Sequence, residues 1–200
     1  MAKKNQRQNR DILQISAGRP LALYGLAANP PHRGHWSCVR DLAARGYFVL
    51  VAPSFAHAFG KNMAPFELRS RWLREAGAEF GALGDHARVW EEEREAAAGR
   101  PAGSPVYSIE MLERALELFG RPPRLAMGPD NLDPMVFARF HQSERIASDF
   151  GLVALAESEA VRSTQIRAAL AAGEAGGEFL SHSVGRAIAA SVADFFSPQR

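Results

Sequence analysis

Two histidines three residues apart, His32 and His35, stand in the run Gly25-Leu26-Ala-Ala-Asn29-Pro-Pro-His32-Arg-Gly-His35, between an apolar stretch and a segment with helical spacing. A chain leaving a strand through Pro-Pro into a new helix makes a tight corner, where the unpaired N–H groups of the helix start face an anion. At a separation of three, both imidazoles point into one space above the strand. Gly34 lets a phosphate come close to the backbone. A metal reading of His-x-x-His needs further His or Cys partners, and none stands at usable spacing. The chemistry that suits this corner is phosphate chemistry.

Further polar groups follow other apolar runs. Ser163-Thr164-Gln-Ile-Arg167 opens a helical pattern, so its two hydroxyls and free N–H groups suit a polyphosphate. Arg167, one turn on, faces the same anion. Gly128-Pro-Asp130 ends another apolar run. A carboxylate there either caps the next helix or accepts hydrogen bonds from ribose hydroxyls. Lys61, in the segment Ser54–Lys61, is suited to pair with a substrate phosphate as a mobile point charge. Gly60-Lys61 lacks the earlier glycine of a P-loop, which excludes that motif. Tyr107 and Ser108 stand at the start of a strongly amphipathic helix, where a ligand could be hydrogen-bonded.

These residues need a frame that gathers them. Apolar runs at 21–27, 47–52, 87–91, 124–127 and 151–156 read as strands. The second, Tyr-Phe-Val-Leu-Val-Ala, is apolar throughout, as a strand covered on both faces should be. Helical spacing occurs at 36–45, 65–80, 106–119, 131–139, 163–172 and 183–196. The charged and then Gly/Pro-rich stretch 92–104 reads as a mobile surface loop. Strict alternation predicts an α/β fold: a doubly wound parallel sheet of five to six strands, Rossmann-like, with helices on both faces and a single domain. Residues 1–19 are expected to be a disordered basic tail and 20–197 the folded domain. Every motif above then falls beyond the carboxyl ends of the strands, where such sheets bind ligands.

Composition narrows the class. Of 200 residues, 46% are hydrophobic and 23% charged, the balance of a globular protein. No apolar run approaches the ~20 residues of a membrane helix, so no membrane partner is expected. A net charge of +2, part of it in the basic tail, advertises no nucleic-acid partner. The single cysteine and the polar N-terminus suit a cytoplasmic setting. A homo-oligomer is compatible with the sequence.

Asn29-Pro-Pro-His32-x-Gly-His35 resembles the first signature of the (H/T)xGH nucleotidyltransferase superfamily, and most of all its nicotinate/nicotinamide mononucleotide adenylyltransferases. Ser163-Thr164-Gln-Ile-Arg167 is similar to the second signature, which contacts ATP phosphates. His57, Lys61, Met63 and Arg69 match the pattern His-x-x-x-Lys-x-Met-x-x-x-x-x-x-Arg. Tyr107-Ser108-Ile-Glu110 resembles the Tyr-Thr-x-Asp helix start, and Gly128-Pro-Asp130-Asn the Gly-x-Asp-(Asn/Ser) element. The resemblance runs from about Leu21 to Phe196.

It implies transfer of AMP from ATP to a pyridine mononucleotide, with release of pyrophosphate, in NAD biosynthesis. His32, His35 and Arg167 would be catalytic. Gly25, Leu26, His32, His35, Gly128, Asp130, Ser163, Thr164 and Arg167 would bind ATP. Asn29, His57, Lys61, Arg69, Tyr107, Ser108 and Phe140 would bind the mononucleotide. Mg²⁺ would accompany ATP, with no protein metal ligands. Phe140 stands where the family places a stacking Trp, and Leu26-Ala-Ala replaces a hydroxyl- and Phe-bearing turn. The same residues leave open another nucleotidyltransferase of the superfamily, acting on pantetheine phosphate, FMN or a CMP acceptor, or a non-catalytic nucleotide-binding protein.

Overall fold

The computed structural model describes residues 2–56, 63–156, 161–174 and 179–189. Its centre is a strand that cannot tolerate water: β2 (Phe48–Pro53) is buried at all six positions. β1 (Leu21–Leu26) pairs with it in parallel, with Leu21 opposite Phe48. β3 (Ala87–Val89), β4 (Arg124–Met127) and β5 (Leu152–Ala154) complete a parallel five-stranded sheet in the order β3-β2-β1-β4-β5. Strand order reverses between β1 and β4, which opens a crevice at their carboxyl ends.

The two-residue period of the strands divides the core into two layers. Ala22, Tyr24, Leu26, Val49 and Val51 face one side. There they meet Trp36, Val39 and Leu42 of α2 (Arg33–Ala44) and Trp72, Leu73 and Ala76 of α3 (Phe66–Glu79). Gly77 lets α3 approach, since a Cβ there would lie 2.6 Å from the Leu83 side chain and 2.9 Å from Trp36. Ile166 and Leu170 of α9 (Ser163–Ala171) and Val184 and Ile188 of α10 (His182–Ala189) close this layer. Leu21, Leu23, Phe48, Leu50, Leu125 and Met127 face the other side. They are covered by Ile109, Leu112 and Phe119 of α5 (Ser108–Phe119), and by Ile146 and Phe150 of a π-helical turn, Ile146–Phe150, that continues the short α8 (Ser143–Arg145). The expected doubly wound sheet is present, with five strands.

Three expectations are corrected. The N-terminal segment is not a disordered tail: Ala2–Ile15 forms α1 and docks on the second layer, with Ile12 fully buried. Its amides satisfy the rim of the sheet. Gln8 donates to the Val89 carbonyl at 2.7 Å, and the Trp90 indole donates to Asn9 at 2.9 Å. The stretch 92–104 is not all loop, because Glu92–Ala97 forms α4 with Glu92 and Glu93 buried. Arg114 neutralises Glu92 at 2.9 Å. Residues 131–139 are not one helix. Pro129 and Pro134 instead start two short ones, α6 (Pro129–Leu132) and α7 (Pro134–Phe137), the second capped by the Asp133 side chain. No helix among the described residues is long and apolar enough to cross a membrane.

Candidate functional site

β1 ends at Leu26, and the chain turns through Ala28, whose φ of 50° lies in the left-handed region, into α2. The turn is pinned by Asn29, whose side-chain oxygen accepts the Ala64 N–H at 3.0 Å. The backbone N–H of His32 donates to Nδ1 of His35 at 3.0 Å, which places the His35 proton on Nε2. The two imidazoles stack with centroids 3.7 Å apart. Burial, and then the nearby Arg162 charge, pushes the His32 pKa down to about 4. Burial, and then His32, pushes His35 well down. Both rings are therefore neutral at pH 7. His32 is 5% exposed, and its Nδ1 finds no hydrogen-bond partner among the described residues. A buried polar atom left so is costly until a ligand satisfies it.

The opposite wall is the start of α9, and it is tied to the histidine corner by hydrogen bonds. Ser163 Oγ donates to the Pro30 carbonyl at 3.0 Å. Arg167 donates to the Asn29 carbonyl at 2.6 Å and to Thr164 Oγ1 at 3.1 Å. Between the walls lies a cleft of about 480 Å³ at the β1/β4 crevice. Asn29, His32, His35, Gly128, Asp130, Ser163, Thr164 and Arg167 all line it, residues up to 138 positions apart in sequence. The cleft is open, electropositive at the α9 end, and rich in N–H and O–H donors, which suits a polyphosphate with its sugar.

Other expected residues lie elsewhere. Gly25 and Leu26 do not line the cleft, and Leu26 packs in the core. Arg69 is not placed to bind substrate. It is 1% exposed, and its guanidinium donates to the carbonyls of Ala64 (2.7 Å), Ala27 (2.6 Å) and Ser54 (2.7 Å). It clasps the two ends of the segment that follows β2 onto the turn after β1. His57 and Lys61 lie outside the described residues. Tyr107, Ser108 and Phe140 are not part of the cleft wall. Phe140 instead packs with Phe137 against the second core layer. The Tyr107 and His141 rings pack in a tilted pair with centroids 4.5 Å apart, which sets the 107–108 and 140–141 segments side by side. Tyr24, Cys38 and Arg162 line the cleft without having been singled out. Cys38 stands three residues after His35, so the helical period alone would have found it.

A parallel sheet with phosphate-suited groups gathered at its switch point defines a nucleotide-binding protein of the Rossmann-like class. No family model matches the chain. A protein of Anaeromyxobacter dehalogenans (strain 2CP-1), named "Probable nicotinate-nucleotide adenylyltransferase", is 30% identical over 177 residues, spanning 80% of this chain and 88% of that one. A similarly named protein of Sulfurimonas denitrificans is 31% identical over 115 residues, 56% of this chain and 57% of that one. Among solved structures, one from Vibrio parahaemolyticus assigned the same activity superposes with a TM-score of 0.70 at 24% identity, covering 85% of this chain and 98% of that one. The Plasmodium falciparum nicotinic acid mononucleotide adenylyltransferase complexed with NaAD superposes at 0.69 with 11% identity, covering 88% and 98%. The structural likenesses establish the fold. The sequence relationship establishes more: the chain belongs to the nicotinate-nucleotide adenylyltransferase family.

Proposed function

We propose that the chain joins ATP to nicotinate mononucleotide, forming the dinucleotide and releasing pyrophosphate in NAD biosynthesis. The observation that carries this reading is the convergence of His32 and His35 with Thr164 and Arg167 on one cleft in a member of this family. An oxygen of the mononucleotide phosphate attacks the α-phosphorus of ATP. A new P–O bond forms as the bond to the β-phosphate oxygen breaks, and the electron pair leaves with pyrophosphate. The protein contributes position and charge stabilisation, with no covalent intermediate.

Each side chain has a role its chemistry allows. His32 and His35, neutral, donate N–H bonds to the α-phosphate and its neighbour as negative charge grows. Ser163, Thr164 and Arg167 hold the β- and γ-phosphates and so stabilise the leaving group. Asp130 with Gly128 takes the adenosine ribose. Lys61 and His57 serve the mononucleotide phosphate, and Tyr107 and Ser108, outside the nucleotide cleft, serve its pyridine end. No group of three or more metal-ligating side chains converges among the described residues. Mg²⁺ would enter with ATP, held mainly by triphosphate oxygens and water, and would neutralise phosphate charge.

The test is a substrate panel: ATP with nicotinate mononucleotide, nicotinamide mononucleotide, phosphopantetheine or FMN, each scored for kcat/KM. The expected result is turnover with a pyridine mononucleotide and none with the other two acceptors. Turnover with phosphopantetheine or FMN alone would move the chain to another activity.

A further inference from the structure

Cys38 is the single cysteine of the chain, and α2 carries it into the nucleotide cleft. It stands three residues after His35, so the helical period sets the two side chains on one face, and both line the cleft. The thiol is partly exposed there. Its Sγ donates to the Ala156 carbonyl at 3.7 Å, which ties α2 to the chain leaving β5. Tyr24 of β1 lies beside it, its hydroxyl hydrogen-bonded to the Cys38 side chain. Burial, and then Cys38, keep that hydroxyl protonated far above its ordinary range, so it stays an O–H donor for a sulfur anion.

A cysteine by itself is a small apolar filler. The surroundings of this one make it more. The cleft is built to receive a ligand: His32 lines it at 5% exposure, and its Nδ1 has no hydrogen-bond partner among the described residues. The wall is also electropositive, since two arginines, Arg162 and Arg167, outnumber one carboxylate, Asp130, among its described residues. An electropositive, partly open setting is where a thiolate forms and reacts.

We propose that Cys38 is a covalent modification site that shuts the nucleotide cleft: its sulfur forms a mixed disulfide with a low-molecular-weight disulfide, and bound nucleotide shields it. The proposal rests on the cleft being the ATP site. The thiol gives its proton to solvent, and the sulfur attacks one sulfur of the small disulfide. One S–S bond forms as the other breaks, and the departing half leaves as a thiolate with the electron pair. Cys38 is oxidised, the departing half is reduced, and excess small thiol runs the exchange backwards. The cleft holds about 480 Å³, within the roughly 300–1,000 Å³ of small-molecule sites, so a tripeptide-sized adduct and a nucleotide cannot share it.

The experiment treats the full chain with oxidised glutathione, with and without ATP, and follows intact mass, ATP binding by calorimetry and adenylyl transfer. One glutathione per chain is expected, with transfer falling in step with the modified fraction and ATP binding lost from the modified protein. ATP at about ten times its Kd should slow the modification about tenfold, as the empty fraction falls. Dithiothreitol should restore both mass and activity. Cys38→Ser, compared with its own untreated activity, should gain no adduct and lose nothing. A fully modified protein that still binds ATP would overturn the proposal, as would a modification rate that saturating ATP leaves unchanged. Failure of any adduct to form would overturn it too, showing a thiol closed to disulfides. If ATP slowed the modification but untreated protein transferred AMP to no pyridine mononucleotide, the acceptor assigned above would be wrong and the place of Cys38 in the ATP site upheld.

Discussion

His32 and His35 are held as one unit: their rings stack at 3.7 Å, 26° from parallel, while the His32 backbone N–H caps His35 at Nδ1. One hydrogen bond thus fixes the His35 tautomer and closes the first turn of α2 at the same time. A preorganised N–H donor aimed where charge develops costs no reorganisation during the reaction, which is why its geometry is locked.

His35→Ala should lower turnover by at least ~10²-fold, the scale for losing one such donor. It should also cost about 1 kcal/mol of stability, because the His32 N–H loses its acceptor. Steady-state kinetics and urea denaturation on the same preparation check both. A turnover near that of wild type would remove His35 from the chemistry.

Arg69→Ala should destabilise the fold by about 3–5 kcal/mol, because buried carbonyls left without a donor cost about 1–3 kcal/mol each. It strands the carbonyls of Ala27, Ser54 and Ala64. Arg69→Lys should recover little, since one ammonium cannot reach three carbonyls in a plane. Chemical denaturation of both variants is the measurement, and a loss below about 1 kcal/mol would contradict the clasp.

Glu93 gives the protein a pH dependence. It is 5% exposed, and burial raises its pKa from 4.5 to about 8, against the Phe55 N–H and the Arg69 charge, which lower it. Between those values the folded state keeps a proton that the unfolded state has lost. Stability therefore falls as pH rises from 4.5 through about 8, by up to ~1.4 kcal/mol per unit, and levels off above. Glu93→Gln should abolish that slope and be the more stable form at about pH 9. Denaturation curves at about pH 5 and about pH 9 decide it, and parallel behaviour of variant and wild type would mean that Glu93 ionises normally.

Removing residues 1–17 should lower stability by about 3 kcal/mol or more, from one buried Ile and the hydrogen bonds of Gln8 and Asn9. An unchanged melting temperature would show that α1 contributes nothing to the folded domain.

The strands were legible because a doubly covered parallel strand must be apolar at nearly every position, as in residues 48–52. The cleft was legible in part for a related reason: groups that follow strands in one parallel sheet must share its carboxyl edge, so His32, Asp130 and Ser163 meet wherever the strands lie. What the sequence hid were polar residues with distant partners. α1 docks through Asn and Gln side chains on the β3 edge, and its polarity reads as solvated. Glu92 and Glu93 read as surface charge because Arg114 and the Phe55 N–H, which receive them, are remote in sequence. Arg69 matched a substrate-binding pattern, yet its use is set by three carbonyls that only the fold assembles.

The most direct test of adenylyl transfer in this cleft follows the α-phosphate itself. ATP labelled with ³²P at the α-position, given nicotinate mononucleotide, should place its label in the dinucleotide one for one with released pyrophosphate. No label should remain on the protein, and His35→Ala should show the same products at a much lower rate. Label retained on the protein, or pyrophosphate released without labelled dinucleotide, would contradict direct transfer between the two nucleotides.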